Sequence, residues 1–203
     1  TTEALVLGLG GKKRTVCVTG PDGRMVEAVY GVVDDGKTAV MEMAQAAGLT
    51  LVSPDKRDPR RATTYGVGEM IRDAVCSGVR KFIIGIGGSA TTDGGAGMLQ
   101  ALGVGFYDEK GRPVGRGIEP LDQIAAIDTA SMLPQLSQCT FQIACDVKNP
   151  LCGPTGAVYV YGAQKGVGEE EKPVLDQKMA HFAKMTAQAV GQDFSGSEGA
   201  GAA

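Results

Sequence analysis

The 203-residue sequence predicts an α/β protein: a mostly parallel sheet with flanking helices, plus an antiparallel hairpin at the N-terminal end. Three observations carry that reading. Lys81-Phe-Ile-Ile-Gly-Ile86 is a continuous apolar run of the kind found in parallel strands buried on both faces. From residue 63 onward, such runs alternate with helical stripes. Two β-rich runs, Arg14–Val18 and Met25–Tyr30, flank Gly20-Pro-Asp-Gly23, which is a hairpin turn signal.

In chain order, Thr1–Leu9 opens apolar and without an initiator methionine, and reads as cut. The hairpin follows. Thr38–Met43 fits a third strand or the start of a short helix with Ala44–Ala47, and periodicity alone does not separate the two. Leu51–Arg61 carries Ser53-Pro54 and Asp58-Pro59 among charges and reads as a loop. Gly68–Cys76 is a helix with Met70, Ile71, Ala74 and Val75 on one stripe and Gly78 as its stop. After the 81–86 strand, Ala96–Leu102 is a second helix ended by Gly103. Val104–Tyr107 and Thr140–Cys145 are further strands. Pro173–Val190 is the longest helix; Glu169–Glu171 precede its positive end and Pro173 suits its first turn. The reading is one domain over 1–192, hairpin-rich over 1–62 and layered over 63–192, with a flexible small-residue tail over 193–203.

Composition narrows the function. With 43% hydrophobic and 21% charged residues the chain is not disordered. Twenty Lys+Arg against 23 Asp+Glu leave a net −3, so no basic field points to nucleic acid. No apolar run reaches the ~18–20 residues of a membrane span. The five cysteines are odd in number and lack Cys-x-x-Cys spacing, and His181 is the one histidine, so reduced thiols in the cytoplasm are expected rather than a zinc cage or a disulfide framework. Glycine is the outlier: 31 residues, where about 7% of the chain is usual.

Three glycine-rich stretches compete for that excess. Gly31-Val-Val-Asp-Asp-Gly-Lys-Thr38 matches a P-loop literally, which makes a P-loop NTPase at Gly36-Lys37-Thr38 a rival reading. Asp34-Asp35 would set two carboxylates at the phosphates, however, and the same residues form a good turn. Gly85-Ile-Gly-Gly-Ser-Ala90 fits a dinucleotide pattern, but loop residues intervene where the helix should begin. The whole stretch from Gly85 to Gly97 holds six glycines in 13 residues and joins a buried strand to a helix. Free N–H groups there make a seat for phosphate or carboxylate, with hydroxyls from Ser89, Thr91 and Thr92 in support. Asp93 is then either an N-cap or a residue that holds Mg²⁺ or accepts a hydroxyl proton. Asp146 and Asn149 end a later strand, where ligands sit in open parallel sheets. Lys165, between glycines, is an anion contact or a surface charge.

Taken together, Gly87-Gly-Ser-Ala-Thr-Thr-Asp-Gly-Gly-Ala-Gly97 running on to Gly103, Ala144-Cys-Asp-Val-Lys-Asn-Pro-Leu-Cys-Gly153, Gln164-Lys-Gly166, Thr63-Thr-Tyr-Gly66 and Val18-Thr-Gly-Pro21 resemble the bacterial type I glycerate kinases. The similarity runs in order along all 203 residues. It implies a portion of a two-domain kinase, resembling its inserted domain, that uses ATP and Mg²⁺ to phosphorylate D-glycerate, with 2-phosphoglycerate as the expected product. It also implies Asp93, Asp146 and Lys165 as catalytic residues, with Asp93 and Asp146 toward Mg²⁺. Gly87, Gly88, Ser89, Thr91, Thr92, Gly94, Gly95, Asn149 and Gln164 would hold substrate or phosphate. The family's opening Pro-Asp-Ser-Phe-Lys-Gly run and later Thr-Gly-Glu-Gly segment have no counterpart here, so a flanking domain is an expected partner. Ala163 stands where the family usually has proline. A non-catalytic ligand-binding module is the alternative, and a homodimer stays open.

Overall fold

The computed structural model describes Val6, Gly8 and residues 10–202; the rest of the opening run lies outside the described residues. The main sheet has five strands: β1 (Lys12–Thr19), β2 (Met25–Val33), β3 (Thr38–Glu42), β4 (Lys81–Gly85) and, last in the sheet, the later strand Thr140–Ala144. The first three pair antiparallel and the last three parallel, so the sheet is mixed. The Pro-Asp-Gly hairpin is present, with Val18 opposite Val26. Thr38–Met43 resolves as a strand leading directly into the short helix α1 (Ala44–Ala47). The P-loop look-alike is the turn that joins β2 to β3, closed by Thr38 Oγ1 donating to Asp34 at 2.8 Å.

Between β3 and β4 lies α2 (Tyr65–Cys76), three residues longer at its start than its apolar stripe suggests. Val67, Met70, Ile71, Ala74 and Val75 bury one face against Tyr30, Met41, Phe82 and Ile84, forming the first core. Tyr30 donates to Asp73 at 2.6 Å and Arg14 pairs with the same carboxylate at 2.9 Å, fastening α2 to the hairpin.

Helix α3 (Ala96–Ala101) follows β4. The expected strand near Val104 forms, as β5 (Gly105–Tyr107), but it does not join the main sheet. It pairs with β6 (Ala126–Asp128) in a separate antiparallel ribbon. Strand β7 (Thr140–Ala144) then returns beside β4, where Phe141 stacks on Phe82 at 4.8 Å. A helix absent from the sequence reading, α4 (Ala157–Lys165), precedes the long α5 (Lys172–Val190). These two helices and the ribbon enclose the second core, with Phe106, Ile118, Leu121, Val158, Met179 and Phe182. Phe106 meets Phe182 edge-on at 5.8 Å. His181, on α5, lies 2.7 Å from the Ile124 carbonyl through Nε2.

The stretch expected as a flexible tail packs back on the loop after β7. Leu151 N–H donates to Ser195 O at 2.8 Å, and Gly201 N–H to Asn149 O at 2.9 Å. Helices α2 and α3 cross so closely that a Cβ on Gly68 would overlap the Met98 carbonyl and come within 2.7 Å of the Ala101 methyl. Gly68→Ala is therefore expected to destabilise the fold by ~1–3 kcal/mol through overpacking, read as a lower urea midpoint at unchanged slope. An unchanged midpoint would show that the crossing is looser than described.

Candidate functional site

The loop between β4 and α3 positions the site. Asp93 sits within it, fully buried. Its carboxylate accepts from Thr64 N–H at 2.9 Å, Thr64 Oγ1 at 3.0 Å, Gly95 N–H at 3.1 Å, Gly97 N–H at 3.2 Å and Thr63 Oγ1 at 3.4 Å. Thr64 Oγ1 in turn accepts Met98 N–H at 2.9 Å. One carboxylate thus satisfies the starts of α2 and α3 together, where negative charge is favoured. A Cβ on Gly97 would meet Thr63 Oγ1 and would fall 2.9 Å from the carboxylate, so only glycine admits this approach.

This arrangement corrects the expectation that the amides at the start of that helix are free for a ligand. They are engaged by the protein's own carboxylate. Burial pushes the Asp93 pKa up, and the donors pull it back toward the ionised form. Gly94 and Gly95 face the same interior: a Cβ on Gly94 would touch Met179 and Phe182 of α5. Thr91 and Thr92 are also fully buried, and their hydroxyls have no hydrogen-bond partner among the described residues.

The cavity lies one turn earlier. A hollow of about 110 Å³ is lined by Ile86, Gly87, Gly88, Ser89, Cys145, Asp146, Val147, Tyr161, Gln164, Lys165 and Ala202. Six of the sequence-designated residues converge there: Gly87, Gly88, Ser89, Asp146, Gln164 and Lys165. The N–H groups of Gly87, Gly88 and Ser89 meet no acceptor among the described residues. The same turn is held from behind, where Ala90 N–H donates to Ala47 O and Leu49 N–H to Gly88 O.

Lys165 is 2% exposed, and its ammonium donates to the Thr91 carbonyl. Burial lowers its pKa to about 8, against the upward pull of Asp93. Asn149 does not line the hollow. It accepts from Tyr161 OH at 2.7 Å and donates to Thr155 O at 2.8 Å, which orients Tyr161 beside the cavity. Ala163, the departure from the family's proline, lies inside α4, and Arg57 Nη1 holds the neighbouring Gln164 carbonyl at 3.0 Å. Sequence reasoning missed Tyr161, Arg57 and the role of Thr63-Thr64. For the threonines, the signal was their place just before a helical stripe.

The model of the glycerate kinase family matches residues 1–203. The chain belongs to the glycerate kinase family. It is 49% identical over 203 residues to a glycerate kinase of Bacillus subtilis, covering all of this chain and 53% of that protein. It is 46% identical to a glycerate 2-kinase of Escherichia coli, again over 53% of the relative. The crystal structure described as glycerate kinase 2 from Salmonella typhimurium LT2 superposes with a TM-score of 0.96 at 44% identity, covering 99% of this chain and 54% of that one. The chain spans about half the length of the curated relatives it matches.

Among the described residues no helix is long and apolar enough to cross a membrane. No cluster of three metal-ligating side chains occurs among them either. Of the two aspartates considered for Mg²⁺, Asp146 is exposed at the cavity, whereas Asp93 is enclosed by its donors. One carboxylate fits the usual way Mg²⁺ is held at phosphoryl-transfer sites, by few protein ligands and the substrate's phosphates.

Replacing the buried carboxylate by its amide turns a donor toward donors. Asp93→Asn is expected to cost ~2–4 kcal/mol of stability in urea unfolding, and a loss below ~0.5 kcal/mol would contradict the clamp.

Proposed function

We propose that this chain carries the glycerate-binding part of an ATP- and Mg²⁺-dependent glycerate kinase that forms 2-phosphoglycerate in the cytoplasm. The observation that carries the reading is the convergence, in one 110 Å³ hollow, of the open Gly87–Ser89 turn, the Lys165 ammonium and the Asp146 carboxylate. A three-carbon hydroxy acid needs such a set: donors and a cation for its carboxylate, and an acceptor for its hydroxyl. Phosphoryl transfer asks little covalent chemistry of the protein, so positioning and charge neutralisation dominate. In this scheme Gly87, Gly88 and Ser89 orient the acid and Lys165 offsets negative charge that develops on transfer. Asp146 accepts the attacking hydroxyl's proton or helps hold Mg²⁺, which would neutralise phosphate charge when bound.

Asp93 acts as a positioning residue in this scheme, with Thr91 and Thr92 in the same buried layer. Gln164 contributes the cavity's far wall and Asn149 acts through Tyr161. The choice of position 2 is supported by the name of the Escherichia coli relative. The alternative, a module that binds the acid but does not turn it over by itself, is favoured by the chain's spanning about half of its relatives.

Lys165 sets the pH response. Its folded pKa of about 8 means that the charge is present below that pH and is lost as pH rises through it. D-Glycerate affinity, measured by calorimetry, is expected to fall between pH 7 and pH 9. Lys165→Ala should weaken binding at pH 7 by roughly tenfold or more and abolish the pH dependence. Unchanged affinity in that variant would remove Lys165 from the site, and absence of D-glycerate binding by the folded native chain would contradict the reading. Asp146→Asn in the full-length protein should lower kcat by ~10²-fold or more. Near-normal turnover would exclude Asp146 from the chemistry.

A further inference from the structure

We propose a second anion site, a hollow that takes a phosphate chain such as that of a nucleoside triphosphate, between the turn at Pro21, the 52–61 loop and Ala90. Naming a nucleotide as the source rests on the kinase reading, whereas the phosphate chemistry stands on the residues themselves. The hollow measures about 200 Å³, nearly twice the acid cavity, and Lys56, Arg57 and Arg61 line it together with Asp22 and Asp58.

Neither carboxylate pairs directly with these cations among the described residues. Asp22 is held by Arg24, through Nε at 2.7 Å and Nη2 at 2.5 Å, and its pKa is lowered as a result. Asp58 accepts Arg60 N–H at 3.1 Å, while the Arg60 guanidinium itself pairs with Glu171 on the neighbouring helix. Among the described residues none of Lys56, Arg57 and Arg61 pairs with a carboxylate. Three positive charges therefore share the hollow with one carboxylate that no other cation offsets, Asp58, which leaves the hollow net positive.

Arg57 adds a second, independent indication. Its Nε is buried and has no hydrogen-bond partner among the described residues, while its Nη1 donates to the Gln164 carbonyl at 3.0 Å. A guanidinium anchored at one donor and unsatisfied at another is suited to an oxyanion, and Arg and Lys side by side suit consecutive phosphates. Position agrees with this. Ala90, in the lining of this hollow, directly follows Ser89, in the lining of the acid cavity, and Arg57 holds the C-terminal end of α4, which carries Gln164 and Lys165.

The test is calorimetric titration of the 203-residue chain with inorganic tripolyphosphate, ATP, orthophosphate and D-glycerate. It compares the native chain with Lys56→Ala/Arg61→Ala. Both side chains are exposed, so the variant is expected to fold, which its far-UV circular dichroism verifies. Arg57 is left intact because it braces the acid cavity. The native chain should bind tripolyphosphate and ATP, more weakly as salt is raised, and the double variant should bind both about tenfold or more weakly with D-glycerate affinity unchanged. Equal tripolyphosphate affinity in the variant, or none in the native chain at millimolar concentration, overturns the site. ATP binding no tighter than orthophosphate overturns its assignment to a nucleotide. Tripolyphosphate bound here without any D-glycerate binding would contradict the kinase reading and leave this site standing; the reverse result would sink this site and spare the kinase reading.

Discussion

Everything near the cavity depends on one buried charge. The Asp93 carboxylate reaches the starts of α2 and α3 at once and, through Thr63, Thr64, Gly95 and Gly97, closes the seam between the two apolar cores. A carboxylate with no solvent contact is costly unless donors surround it, and here five do. The consequence is directional. The amides at the start of α3 are turned inward to Asp93, whereas the N–H groups of the preceding turn at Gly87–Ser89, in the cavity lining, meet no acceptor among the described residues. Lys165 answers the same charge from α4 while lining the hollow, so the interior network and the ligand-facing surface meet at one ammonium.

Much of this was legible in the sequence where a residue's local role and its tertiary role coincide. Pro21-Asp-Gly23 forms its hairpin because the turn chemistry is local, and the Met70–Val75 stripe finds a core because a helix with one apolar face has few alternatives. The turn reading of Gly31–Thr38 rests on the same local chemistry: Asp34 accepts from Thr38 and the segment turns. That Gly87, Gly88, Ser89, Asp146, Gln164 and Lys165 come together around one cavity was legible from a glycine-rich turn and a carboxylate at strand ends, a lysine between glycines, and the family resemblance.

What stayed hidden is non-local. Asp93 looks alike from sequence whether it faces a ligand or a helix start. Its direction is decided by Thr63 and Thr64, about thirty residues away in the chain. Val104–Tyr107 has ordinary strand composition, and nothing in it says that Ala126–Asp128, rather than β4, is its partner. Helix α4 escaped because Tyr159, Gly162 and the β-branched Val158 and Val160 dilute its periodicity. The 193–202 stretch is small and polar, yet it packs because Gly201 can approach the Asn149–Pro150 backbone where a side chain would collide.

The claim at the centre of this account is that main-chain amides before Asp93, not those after it, receive the acid. A crystal structure of the protein with D-glycerate bound tests it most directly. The account places the glycerate carboxylate against the N–H groups of Gly87–Ser89 and within reach of Lys165 Nζ, with Asp93 still enclosed by Thr64 and Gly97. Density for the acid against Gly95–Gly97, with Asp93 swung out to meet it, would contradict the account.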